Sequence, residues 1–399
     1  MNTKSIFATG IDAGSTNTRC VISLLEDRRL RLVGYGSVPS EGWSKSRIAD
    51  QQAVSECILA AVEEAEAMAQ TAIETVVAGI GGLTARGANC RGRIDFGRPR
   101  EIEQRDINRA MDRAMHIQLQ EDQMVLQLLP QDFIVEDQAG HRDPRSMLAQ
   151  RLEANAHLIT GSVQEHNCLV GAVNQAHIAV EETVYEPLAA HFASILPEDR
   201  REGTALVDIG AQSTDLVVYY DESLQLASSL PICGDHFTRD VALAFRISLE
   251  EAMLAKEEYG SATSEYTAEN SLVEVTSAGD STSRELPRRL LNEIIEARAR
   301  ELFDYVRREL ARVGMERSML GGVVLAGGGA RLPGMCDMAE ATLRCQARNG
   351  LPVGIQDWPV ELDHPSWTTA AGLAMYSGKL KVQGELERQS VGLLARILR

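Results

Sequence analysis

Two short stretches of the chain carry residue types that bind phosphate. The first is Asp12-Ala13-Gly14-Ser15-Thr16-Asn17, set between the apolar runs Ile6–Ile11 and Cys20–Leu24. The second is Asp208-Ile209-Gly210-Ala211-Gln212-Ser213-Thr214-Asp215, set between Ala205–Val207 and Leu216–Tyr219. Small residues let backbone N–H groups converge on a phosphate, hydroxyls add hydrogen bonds, and a carboxylate can hold a hydrated Mg²⁺. Gly14, Ser15 and Thr16 are therefore candidates for one side of a phosphate chain, and Gly210, Ser213 and Thr214 for the other. Asp12 and Asp208 are the candidates for the metal, through water. Either turn alone reads more readily as an ordinary polar β-hairpin. Two copies nearly 200 residues apart, each opening a βββα-like unit, describe two similar half-domains facing each other across a cleft.

A third stretch fits that plan. Gly321–Leu325 reads as a buried strand that runs into Gly327-Gly328-Gly329 and then a helix. Glycines there allow close approach of the backbone to a flat ligand such as adenosine. The stretch lacks G-x-x-x-x-G-K-[ST], so it is not a P-loop, and no G-x-G-x-x-G follows a strand.

Length and composition set bounds. A chain of 399 residues can hold two or more domains with sizeable cores, and 44% hydrophobic with 24% charged residues is ordinary for a globular protein. A net charge of −17 disfavours nucleic acid and makes any contact with an anionic membrane a local matter. The seven cysteines form no C-x-x-C pair, which suggests a reducing compartment. The first apolar stretch is interrupted by Asp12 and Gly14, so no signal peptide is expected, and no run reaches the ~18 apolar residues of a spanning helix.

In chain order, residues 1–83 make the first part of the first half-domain, with Asp50 capping a helix through Val54, Ile58, Ala61 and Ala65. Residues 84–160 look like an insertion: an Arg- and Gly-rich loop, a helix around Ile107–Met115, then strands near Val125–Val135 and Leu152–Ile159. Residues 161–203 return to the first half-domain, opening with a capping-box pattern at Ser162 and Glu165. Glu186 then stands at a strand-to-helix junction before Pro187. It is either a carboxylate aimed into the cleft or a simple favourable charge at a helix N-terminus. Residues 204–235 and 307–378 form the second half-domain around an insertion at 236–306, which contains a helix Leu249–Tyr259 and a Ser/Thr-rich stretch, Ser261–Arg284. In 379–399, five Lys or Arg face two Glu, and Gln383–Glu385 reads as a short linker. Val391, Leu393, Leu394, Ile397 and Leu398 fall in an arc of roughly 160° on a helix, with Arg396 and Arg399 outside it. That pattern suits a helix lying in a membrane interface, and equally one docked on the protein's own core.

This ordered set resembles the actin-like ATPase superfamily, and within it the bacterial FtsA family of cell-division proteins. The narrower resemblance rests on Leu128–Val135 with Arg142-Asp143-Pro144, Arg151-Leu152-Glu153, His157–Gly161, Glu186–Ala189, Gly234–Thr238, Lys256–Gly260 and His364–Ala370. It implies an α/β, two-lobed actin-like fold with duplicated βββαβα half-domains, two inserted subdomains and a C-terminal amphipathic helix. It also implies ATP and Mg as cofactors, with Gly234, Asp235, Lys256 and Glu257 around the sugar and base, and Glu186 positioning the attacking water. By the same resemblance, 84–160 serves partner and polymer contacts and 236–306 receives the C-terminal peptide of FtsZ. Val391, Leu394, Arg396, Ile397, Leu398 and Arg399 would bind an anionic membrane surface. The function implied is a polymerising, ATP-binding scaffold that ties the FtsZ ring to the cytoplasmic face of the inner membrane at the division site and recruits later division proteins.

Two departures from the family pattern bear on this. The second turn reads Gly-Ala-Gln-Ser where Gly-Gly-Gly-Thr is the family's preference, and Asn17 stands where the family has Lys. Binding is therefore a firmer expectation than turnover, and hydrolysis is expected to be weak or absent. A small-metabolite kinase of the same superfamily and a PilM-like adaptor are the alternative readings. The kinase lacks an assignable general base.

Overall fold

In the computed structural model, residues 5–276 and 282–397 are described, side chains of 385–397 excepted, and two sheets of the same topology carry the two turns. In the first half-domain β1 (Ile6–Ala13), β2 (Asn17–Glu26) and β3 (Arg29–Pro39) form an antiparallel meander. A small hairpin, β4 (Trp43–Ser44) and β5 (Arg47–Ile48), leads into α1 (Gln51–Ala69). That helix begins where it does because the Asp50 carboxylate accepts the N–H groups of Gln52 and Ala53 at 3.0 and 3.2 Å. Val54, Ile58, Ala61, Val62 and Ala65 recur at helical spacing and bury its inner face against Ile11 and Ile22 of the sheet. Strand β6 (Thr75–Ile80) then lies parallel to β1.

The first insertion comprises β7 (Arg86–Glu101), α2 (Gln104–Met115), β8 (Gln123–Val135), β9 (Gln138–His141) and β10 (Leu148–Ser162). The Arg- and Gly-rich segment is thus a 16-residue strand, not a loop, paired along β10. Its glycine was misleading. A Cβ at Gly92 would stand 2.0 Å from the carbonyl oxygen of Ala110, so this glycine seats α2 directly on the sheet. The chain returns through α3 (Val163–Gln175), β11 (Ala179–Tyr185), α4 (Glu186–Ser194) and α5 (Pro197–Glu202). Ser162 Oγ caps α3 by accepting the Glu165 N–H, while the Glu165 carboxylate turns away to Thr84 and Arg47.

The second half-domain repeats the plan with β12 (Thr204–Ile209), β13 (Thr214–Tyr220), β14 (Ser223–Leu230) and α6 (Gly234–Phe245). Its insertion holds α7 (Leu249–Tyr259) and the hairpin strands β15 (Leu272–Thr276) and β16 (Ser283–Pro287). Then follow α8 (Arg288–Arg312), β17 (Val323–Ala326), α9 (Met335–Leu343), β18 (Ala347–Asn349), β19 (Ile355–Gln356) and α10 (Thr368–Ile397). The order β11-β6-β1-β2-β3 in one sheet matches β18-β17-β12-β13-β14 in the other. The first insertion extends the second sheet, where Ser228 of β14 pairs with Arg86 of β7.

Two expected boundaries move. The division at 306 falls inside α8, whose buried stripe Leu291, Ile295, Leu302, Phe303, Val306 and Leu310 is continuous. The expected linker Gln383–Glu385 lies within α10, which runs unbroken through Gly384. One glycine costs a helix only about 1 kcal/mol, and the flanking Lys381, Gln383 and Glu385 are good helix formers. Val391, Leu394, Arg396 and Ile397 belong to α10, while Leu398 and Arg399 lie outside the described residues. No helix among the described residues is long and apolar enough to cross a membrane. Between the two sheets, Val77, Tyr185, Leu206, Val217 and Leu373 form a shared core at the base of the cleft. Burying such side chains is worth about 1.5–3 kcal/mol each, which fixes the half-domains at that end and leaves the other open.

Candidate functional site

A cavity of about 450 Å³ lies between the half-domains, and both candidate turns open onto it. The turns are built alike. A Cβ at Gly14 would stand 2.9 Å from the carbonyl oxygen of Asn17, and one at Gly210 would stand 2.9 Å from that of Ser213. Each glycine therefore lets its turn close on itself and direct the following backbone toward the cavity. Asp12, Gly14, Ser15 and Thr16 line one wall, and Asp208, Gly210 and Ser213 line the other. Glu186, Gly234, Lys256, Glu257 and Gly327-Gly328-Gly329 complete the lining drawn from the sequence.

Two expected residues stand elsewhere. Thr214 already belongs to β13, pairs with Ile209 and is fully buried, so its hydroxyl is closed off from the cavity. Asp235 lies just behind the lining in the first turn of α6, where its N–H donates to the Ala211 carbonyl at 2.8 Å. Glu257 is exposed at the rim of the cavity, whereas Lys256 is turned inward, unlike the solvated pair that adjacent opposite charges on a helix usually make. Lys256 Nζ donates to Thr238 Oγ1 at 2.9 Å, and burial lowers its pKa against the pull of Glu257 and Asp235.

The floor of the cavity concentrates negative charge. Burial, opposed by Arg19 and reinforced by Asp208, pushes Asp12 up to about 7. Burial pushes Asp208 up to about 6 despite the hydroxyl of Thr369, which donates to its Oδ2 at 2.9 Å. Asp215 rises to about 7 by burial, although Ser229, the Gly82 N–H and the Tyr185 hydroxyl (both of the latter at 3.3 Å) favour its ionised form. Glu186 is raised well above the usual carboxylate range by burial and by the facing Asp12, Asp208 and Asp215. Such a cluster lacks enough positive charge of its own and favours a bound cation.

Arg19 was missed in the sequence, and its charge acts on both Asp12 and Asp208 of this floor. It faces Asp12 across the first hairpin, lines the cavity, and its buried Nε has no hydrogen-bond partner. Its guanidinium lies over the Trp367 ring, 5.6 Å from the centroid, and the charges of Asp12 and Asp208 offset the lowering of its pKa by burial. Strand alternation was the available signal. Cys20 and Ile22 enter the core beneath α1, so Arg19 must share the opposite face with Asp12. Gly81 and Gly82 were also missed, because they approach from a segment with no motif of its own, and so were Arg331, just beyond the glycine cluster, and Asp215, at the end of the second turn and behind the lining.

A duplicated sheet plan, paired hairpin turns and a deep cleft between them define an actin-like two-lobed protein. The solved structures agree with that class. The PilM-PilN type IV pilus biogenesis complex matches with a TM-score of 0.70 at 18% identity, covering 93% of this chain and 98% of that one. MreB5 of Spiroplasma citri bound to ADP matches with a TM-score of 0.58 at 11% identity, covering 95% and 98%. At those identities the likeness establishes the fold. The particular family comes from sequence: the model for "Cell division protein FtsA" matches residues 205–372, and that for the "SHS2 domain inserted in FTSA" matches residues 82–160. FtsA of Pseudomonas aeruginosa is 32% identical over 96% of this chain and 90% of its own length. FtsA of Bacillus subtilis is 30% identical over 96% and 86%, and FtsA of Escherichia coli K12 is 29% identical over 95% and 92%. The chain belongs to the FtsA family of cell-division proteins.

Proposed function

We propose that this actin-like cell-division protein binds Mg-ATP between its half-domains and polymerises as a scaffold. In that role it holds the FtsZ C-terminal peptide at the 236–306 subdomain, an anionic membrane surface through the end of α10, and later division proteins through 84–160. The observation that carries the reading is the meeting of two like hairpin turns, the carboxylates of Asp12, Asp208 and Glu186 and an unpartnered arginine Nε in one cavity, with the buried Asp215 behind them. The Spiroplasma citri MreB5 structures, bound to ADP and to AMPPNP, have nucleotide in an actin-like fold and support the choice of ligand.

The residues fit such a ligand. The N–H groups near Gly14 and Gly210 would hold the phosphate chain, Arg19 would neutralise it, and Asp12 and Asp208 would hold a hydrated Mg²⁺. Among the described residues no three Asp, Glu, His or Cys side chains converge closely enough to hold a metal alone. The ion would therefore take most of its oxygens from phosphate and water, and when bound it would supply charge neutralisation at the phosphates. Gly327–Gly329, Gly234, Lys256 and Glu257 would face the nucleoside. Glu186, whose carboxyl is raised well above the usual range by burial and by its acidic neighbours, would serve to orient a water by hydrogen bonding rather than as a strong base. Weak turnover follows from that, with binding as the main event. Bridging both turns by one ligand favours closure of the lobes, a hinge-type change that alters contacts between successive subunits.

The test is co-sedimentation of the full chain with anionic liposomes, with and without ATP, beside a version ending at Gly384. The full chain is expected to pellet with the liposomes, more so with ATP, because a polymer presents many weak tails at once. The truncated version is expected to stay in solution. Equal pelleting of the two, or none by either, would overturn the membrane-tethered scaffold.

A further inference from the structure

The second phosphate turn departs from its family pattern at Gln212, and the structure gives that residue a contact outside its own half-domain. The N–H of Ser46, in the β4–β5 hairpin of the first half-domain, donates to Gln212 Oε1 at 2.7 Å, and the Ser46 hydroxyl donates to the Gln212 backbone carbonyl. Both residues line the cavity. From this geometry we infer that Gln212 and Ser46 form a latch across the mouth of the cleft, which slows escape of whatever lies beneath it. The inference rests on the nucleotide reading for the identity of that ligand, and on the structure alone for the latch.

Each side of the contact is fixed to its own lobe. Trp43 and Ile48 pair across the small hairpin and pack on the core of the first half-domain. The neighbouring Arg47 is bridged to Glu165 at 3.2 Å, and Glu165 in turn accepts from Thr84. The two turn residues, Lys45 and Ser46, both hold positive φ, 52° and 61°. In such a two-residue turn the N–H of the second residue is not used by the strand pair, so it is available to an acceptor on the other lobe. On the opposite side, Gly210 N–H donates to the Ser213 carbonyl at 2.9 Å, and Gly234 and Asp235 donate to Gly210 and Ala211 at 2.9 and 2.8 Å. Gln212 thus projects from a braced turn, with its side-chain oxygen committed to Ser46. A glycine at this place, as in the family pattern, would keep the backbone contact and lose the side-chain one.

The latch has a kinetic consequence. Opening the cleft must break two hydrogen bonds that do not depend on the ligand, and each is worth roughly a fivefold change in an equilibrium. Gln212→Ala removes the first bond. Ser46→Gly removes the second, suits the left-handed turn, and leaves the sequence of both phosphate turns unaltered.

The experiment measures release of N-methylanthraniloyl-ATP from the full chain by chase with excess ATP, and small-angle scattering of the chain without nucleotide. Each variant is expected to release the analogue about fivefold faster and to show a larger radius of gyration when empty. Unchanged release in both variants would overturn the latch. An effect confined to Gln212→Ala would also overturn it, by assigning Gln212 to direct contact with the phosphates. If the unaltered chain takes up no analogue, the nucleotide reading fails, and scattering alone then decides the latch: expansion of both variants supports it, and unchanged dimensions overturn it.

Discussion

Asp208→Asn is expected to stabilise the empty protein and to abolish most of its response to Mg-ATP. Burial raises the Asp208 carboxyl from 3.8 to about 6. Between those two values the native chain keeps a proton that the unfolded chain has released. Stability therefore falls as pH rises through that window, and the loss is complete above about pH 6. The gap corresponds to about 3 kcal/mol at pH 8, which Asn avoids while still accepting the Thr369 hydroxyl. The same carboxylate is the proposed holder of hydrated Mg²⁺ on this wall. Ligand at about 100 times its Kd stabilises a protein by about 2.7 kcal/mol, and the variant should forfeit most of that. Urea unfolding at pH 5 and pH 8, with and without Mg-ATP, checks both signs. A variant less stable than the parent when empty at pH 8 would show that Asp208 is ionised and structurally paired. A full response to Mg-ATP would remove it from the metal.

Arg19→Met is expected to weaken ATP binding by roughly 10- to 150-fold and to leave adenosine binding nearly unchanged. Hydrogen bonds to charged groups are worth about 1.5–3 kcal/mol, which sets that range. Met keeps an apolar stem against Trp367, so packing there is largely conserved. Arg19→Lys should recover part of the loss as a point charge without the planar fork. Equilibrium titration with ATP, ADP and adenosine at pH 8 separates a charge effect from a general distortion. Equal weakening of ATP and adenosine would assign Arg19 a structural role. The proposal also accounts for Asn17: the positive charge absent from the turn is supplied two residues later, on the strand, opposite Asp12.

The two hairpins, the glycine cluster and the capped helices were legible because each depends on local chemistry. Asp50 and Ser162 cap the helices that they were expected to cap, and α7 spans Leu249–Tyr259 as read from sequence. What could not be read locally depended on partners distant in the chain. β7 resembles a loop until α2 is seen resting on Gly92. Thr214 resembles a phosphate ligand until the start of β13 is placed two residues earlier than the motif suggests. Asp215 and Tyr185 meet only because β11 and β13 flank the same cleft, and the Ser46–Gln212 contact joins residues 166 positions apart. Gln212, legible in sequence only as a departure from the family's second turn, has its side-chain oxygen turned to the other lobe.

The most direct test of nucleotide binding between the half-domains is a calorimetric titration of the full chain with ATP in excess Mg²⁺, repeated with the metal chelated. The expected result is one saturable site per chain, weakened strongly by chelation, with ADP competing. The absence of saturable binding at millimolar ATP, or binding indifferent to Mg²⁺ and to the number of phosphates, would contradict it.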